Sequence, residues 1–163
     1  MTPETKPYVP CCTPIDPATL DHKHHIWENK LFLQDDVRQI LHIPLNMGKV
    51  IPRMWEKVTA ADAAPEDAEF LLLACDPSPW KSELYMTVTK EIPGARMTRL
   101  SGELISRVFD GPYSAVPKWI KVMDAELAAQ NQKALKYYFY YTLCPKCAKH
   151  YQHNYVVAFA QIR

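Results

Sequence analysis

Five cysteines stand at positions 11, 12, 75, 144 and 147 of a 163-residue chain. Four fall into two close pairs, Cys11-Cys12 and the Cys144-Pro-Lys-Cys147 knuckle. A Cys-x-x-Cys at a hairpin tip holds two thiolates near tetrahedral geometry, and zinc takes four nitrogen or sulfur ligands. The pattern points to structural zinc held by Cys11, Cys12, Cys144 and Cys147, with His150 or His153 able to replace an arm cysteine. Two other readings stay open. Buried thiols act as small hydrophobes, and Cys-x-x-Cys also serves as a redox pair, although that use expects a strand-to-helix site in a βαβ unit this chain lacks. Cys75 ends an apolar run and reads as core. An odd cysteine count without an export signal argues against disulfides.

The acids offer a second chemistry. Glu103 alternates in phase with Ser101, Ile105 and Phe109, so its carboxylate stands on a mostly apolar face. Pocket burial would suit it to general acid–base work, with Tyr141 as proton donor or orienting hydroxyl; the plain alternative is an edge residue paired to Arg107. Trp80, Tyr85, Phe109 and Tyr141, together with Glu103, are the expected ligand-binding residues, because aromatics near hairpins serve recognition as well as packing. Asp76 and Glu83 flank the first hairpin and read as turn charges. His22, His24 and His25 read as a solvated cluster, and His42 as a partly buried imidazole on the first strand. Four glycines leave no phosphate-cradling loop, and no Gly-x-Ser-x-Gly elbow occurs.

Composition narrows the class. With 48% apolar and 23% charged residues the chain reads as an ordinary globule rather than a disordered segment. A net charge of +1 leaves no basic excess for nucleic acid. No apolar run is long enough for a membrane helix, and no signal-peptide core is visible, so the expected location is cytoplasmic. Five of the fourteen prolines lie in the first seventeen residues. Proline removes a backbone donor, so residues 1–30 are expected to form an irregular arm that docks on a single domain spanning 31–163.

The elements that must position these groups come from periodicity. Strands are predicted at about 37–44, 69–75, 82–90, 99–109, 134–143 and 154–162 from alternation, short apolar runs and aromatic density. Helices are predicted over 50–63, with Pro52 in its first turn, and 113–130, where Val116, Trp119, Ile120, Met123 and Leu127 share a face. The offset that carries Trp55-Glu56-Lys57-Val58 onto Trp119-Ile120-Lys121-Val122 also superposes the strands. The fold class is therefore α+β: two strand–helix–strand–strand repeats, about 31–92 and 97–163. They should form an antiparallel sheet with both helices on one face and a ligand cleft on the other. The segment 143–154 is longer than the first repeat's hairpin, an inserted loop around the cysteines.

With its aromatic cleft, this element order resembles the gyrase-inhibitor-like (GyrI-like) small-molecule-binding family over roughly 31–163. Gly111-Pro112-Tyr113 followed by Trp119 looks like that family's approach to its second helix. Pro10-Cys11-Cys12, Phe109-Asp110-Gly111-Pro112-Tyr113 and Cys144-Pro145-Lys146-Cys147-Ala148-Lys149 resemble an uncharacterised subgroup sometimes labelled hydrolase. The resemblance implies a concave pocket for flat, apolar or cationic molecules and, in some relatives, hydrolysis of reactive electrophiles. One departure stands out: the strand after the second helix reads Lys136-Tyr-Tyr-Phe-Tyr-Tyr141, where cation-sensing members offer a carboxylate. The expected function is binding of a small flat or apolar molecule in an aromatic cleft, with hydrolysis of a small reactive or xenobiotic compound in the same cleft as the alternative.

Overall fold

Strand–helix–strand–strand occurs twice in the computed structural model, which describes residues 12–41 and 43–163. The first repeat comprises β1 (Lys23–Ile40), a two-residue β2 (Ile43–Pro44), α1 (Met47–Ala60), β3 (Leu72–Ser78) and β4 (Lys81–Thr87). The second comprises β5 (Met97–Asp110), α2 (Val116–Ala129), β6 (Lys136–Tyr141), α3 (Pro145–Tyr151) and β7 (Tyr155–Gln161). Every pairing is antiparallel.

Three features depart from the sequence expectation. First, β1 begins at Lys23, inside the segment expected to be irregular, and runs for 18 residues. Alternation is hidden there by a register shift between Trp27 and Lys30, where Asn29 takes a φ of +50°; asparagine tolerates that conformation better than most side chains. Second, the helix expected from 50 starts at Met47, which leaves Pro52 inside it rather than in its first turn. Third, the inserted segment is not a plain loop, because Pro145 starts a short helix there with Cys144 at the preceding position. His42 lies outside the described residues.

The long β1 also decides the shape of the sheet. Residues 32–38 pair with β4, while residues 23–33 pair with β5, so Phe32 and Leu33 bond on both sides. The order β1-β4-β3-β6-β7-β5 thereby returns to β1, and six strands close as a barrel. Among the described residues the sheet therefore has an inside and an outside rather than the helix-covered face and the open face expected. The helices cover the outside. On one flank Val50, Met54 and Val58 of α1 pack on Leu33, Val37, Leu84 and Met86. On the other, Trp119, Met123 and Leu127 of α2 pack on Phe139, Val156, Ala158 and Ala160. Trp27, Phe32, Leu73, Tyr85, Leu104, Tyr138, Tyr140 and Phe159 fill the inside. Alternation assigns the aromatic strand accordingly: Tyr137, Phe139 and Tyr141 face the helices, and Tyr138 and Tyr140 face inward. Gly102 pairs with Trp27 at the register shift between β1 and β5. Its φ is +151°, and a Cβ there would lie 2.5 Å from the Arg163 carbonyl oxygen, so no side chain fits.

Candidate functional site

Polar groups gather at one end of the barrel, where the inward positions of four strands run out of apolar residues. Glu83 is paired in register with Cys75 of β3 and Asp36 of β1. It shares the inward face of β4 with Tyr85 two residues on. Its carboxylate accepts hydrogen bonds from the Tyr85 hydroxyl and from Gln34 Nε2, the latter at 3.3 Å, and Lys81 Nζ lies 3.8 Å away. Thr98 of β5 donates to Gln34 Oε1 at 2.5 Å and thereby fixes that amide. Across the opening, Lys136 Nζ sits over the Tyr138 ring, 5.0 Å from its centroid. The Tyr85 and Tyr138 rings meet edge to face at 5.8 Å. Asp36 Oδ2 takes Arg96 at 3.0 Å and Lys81 at 3.4 Å, while its Oδ1 is buried without a hydrogen-bond partner among the described residues.

Burial and charge tune this mouth. Burial, reinforced by the Glu83 carboxylate, pushes the Tyr85 phenol far above its ordinary value, so it remains a donor at any physiological pH. Burial likewise raises Tyr138 and the Cys75 thiol, which makes Cys75 an inert neighbour rather than a nucleophile. Burial works against the Lys136 ammonium, but Cys75, Tyr138 and Glu83 around it hold it above the usual lysine value. This end of the barrel thus carries a hydrogen-bonded carboxylate and a cation beside two buried tyrosine rings.

Of the residues expected from sequence, Tyr85 is the one that lies here. Glu103 points outward beside a cavity of about 380 Å³ between β1, β5 and α2, which His24, Arg107, Met123 and Glu126 also line. There its carboxylate binds His24 and, at 3.5 Å, Arg163 rather than the expected Arg107. Arg107 is taken by Asp21 and Glu126. Tyr141 also faces outward, against Tyr113 at 4.6 Å, and is aligned through Val156 with Phe109. Six residues of β5 separate Phe109 from Glu103, about 20 Å of strand, so Glu103 and Tyr141 do not meet. Phe109 stacks on Trp119 at 5.2 Å as packing. Trp80 is 60% exposed on the first hairpin, next to Lys81. Glu83, read as a turn charge, proves to be a strand residue. The signal that could have found it was its phase, since it continues the Tyr85–Thr87 face of the alternation.

A second cluster lies at α3. The sulfurs of Cys12, Cys144 and Cys147 are all within 4.8 Å of one another. The Cys144 amide donates to Cys12 Sγ at 3.4 Å, and the Tyr151 hydroxyl donates to the Cys12 carbonyl at 3.4 Å. Cys11 lies outside the described residues. His153 binds Asp110 through Nδ1 at 2.8 Å and stacks on Tyr155, so it does not join the thiols. From this anchor the chain runs across the other end of the barrel, where Ile15 and Leu20 pack on the interior cluster. Ser106 donates to the Leu20 carbonyl at 2.5 Å, and Asp21 accepts from the Val108 amide at 3.0 Å.

A family model described as "Bacterial hydrolase" matches residues 2–162. Among solved structures, an uncharacterized conserved protein from Listeria innocua is similar with a TM-score of 0.60 and 10% identity, covering 88% of this chain and 92% of its own. SAV2435, solved bound to tetraphenylphosphonium, is similar with a TM-score of 0.53 and 8% identity, covering 88% of this chain and 94% of its own. At such identities these likenesses concern the fold. No curated protein matches. No helix among the described residues is long and apolar enough to cross a membrane.

Proposed function

The chain belongs to the bacterial hydrolase family, and from that premise we propose that it binds a small aromatic or apolar molecule at the polar mouth of the barrel and hydrolyses it there. The observation that carries this reading is Glu83, whose carboxylate is held by the Tyr85 hydroxyl with Lys136 facing it over an aromatic floor. In the proposed reaction Glu83 takes a proton from water as the water oxygen bonds to an electrophilic carbon. The bond from that carbon to the departing atom breaks, and the departing atom carries away the electron pair facing the Lys136 ammonium. Glu83 then returns its proton to that atom, so water is split across the broken bond and the enzyme is restored. Tyr85 orients the carboxylate and keeps its own proton throughout. Asp36 Oδ1, a buried acceptor without a donor among the described residues, supplies a place for a polar group of the substrate.

The likeness to a small-molecule-binding structure supports a ligand in this fold, and the repeat order supports kinship with GyrI-like proteins. A second reading keeps Glu103 as the base, favoured by its His24 contact beside the outer cavity. There Glu103 stands on the outer wall with His24 and Arg163, whereas Glu83 stands inside the barrel end beside the Tyr85 hydroxyl and the Lys136–Tyr138 pair.

The three clustered thiols fit zinc. A Zn–S bond of about 2.3 Å puts tetrahedral sulfurs roughly 3.8 Å apart, within a small contraction of the observed cluster. We assign Cys12, Cys144 and Cys147 as its ligands, with Cys11 as the sequence's candidate for the fourth, in a structural role.

The test is direct. Incubated with a panel of aromatic esters, epoxides and strained cyclopropanes, the protein should consume at least one member in a time- and enzyme-dependent manner, with water incorporated into the product. If folded protein neither binds nor consumes any of them, the proposal fails.

A further inference from the structure

Lys136 does more at the mouth than face a departing anion. An organic cation seated in an aromatic site needs two things, an uncovered ring face and a carboxylate to balance it. Both are already used here. The ring of Tyr138 carries Lys136 Nζ at 5.0 Å, a cation–π contact made by the chain's own side chain. Glu83 has Lys81 at 3.8 Å and Lys136 facing it, and Asp36 has Arg96 and Lys81. The surroundings hold Lys136 protonated, so this internal cation is permanent at physiological pH.

We infer that Lys136 occupies the seat an organic cation would take on Tyr138, so that the mouth accepts uncharged or anionic aromatic molecules and rejects cationic ones. This rests on the mouth being the binding site and names the class of molecule it selects. The long lysine stem also covers apolar surface, so the informative change removes the charge and keeps the stem.

The experiment compares two probes of nearly one shape, benzyltrimethylammonium and its uncharged isostere neopentylbenzene, by calorimetry against wild type and Lys136→Met. Circular dichroism first verifies that the variant is folded, and Lys136→Gln serves as a second variant. Wild type should bind the uncharged probe at least about tenfold tighter than the cation, and Lys136→Met should tighten the cation by about tenfold while changing the uncharged probe little. Equal binding of both probes by wild type, with no gain for the cation in either variant, overturns the inference and leaves the site standing. If neither probe binds wild type or variants, the mouth is not a binding site, and both readings fall.

Discussion

Replacing Glu83 by glutamine should lower kcat on any consumed substrate by at least about a hundredfold while leaving KM within a few-fold. General bases contribute roughly 10²–10⁴ in rate, and the amide keeps the size and one acceptor while losing the basic oxygen. The Tyr85 hydroxyl and Gln34 Nε2 donate to the same carboxylate oxygen, which the amide oxygen of glutamine can replace, so the fold should survive. The matched control is Glu103→Gln. That carboxylate is engaged by His24 and Arg163 on the outer wall, and its loss should change the rate by no more than about threefold. Steady-state kinetics on both variants separates the two acids, and a reversed order of effects would move the chemistry to the outer cavity.

Removing the metal should have the second large effect. Protein purified without chelator is expected to carry about one zinc per chain, and Cys144→Ser or Cys147→Ser should lose it. Structural zinc sites bind with apparent energies on the order of 10 kcal/mol, and on the proposed assignment that energy orders the residues around Cys12. The side chains that hold the following stretch to the barrel are few, chiefly Ile15, Leu20 and Asp21. Metal loss should therefore expose amides of residues 12–21 to fast hydrogen exchange while those of β6 and β7 stay protected. Elemental analysis and exchange mass spectrometry together check this. Metal-free protein whose arm is equally protected would show that packing alone holds it.

The repeat was legible because its signals are local. Alternation in β5 and β7 and the helical spacing of Trp119, Met123 and Leu127 each lie within a few residues of chain, and each predicted element except the first strand falls close to its observed range. The first half of β1 was not legible. Its partners lie on β5, nearly eighty residues away in some pairs, and the bulge at Asn29 breaks the period that would have announced a strand. Barrel closure was missed for the same reason, since it depends on one strand being long enough to pair twice.

Closure then decided which side chains face inward. Sequence parity correctly put Glu103 with Ile105 and Phe109, and the two tyrosine faces of β6 were correctly separated. Parity does not tell which face the helices take. They take the face of Glu103 and Tyr141, which leaves Tyr85, Tyr138 and the carboxylate of Glu83 on the inside. The metal cysteines were read from spacing alone, and the three of them that lie among the described residues do converge.

The most direct test of the account is where a substrate sits. The Glu83→Gln protein, crystallised with an aromatic ester that wild type consumes, should trap the intact molecule. The account predicts its ring against Tyr85 and Tyr138, its carbonyl carbon next to the side chain at position 83, and its departing oxygen toward Lys136. An ester found instead in the outer cavity, against His24 and Glu103 with the barrel mouth unchanged, would contradict it.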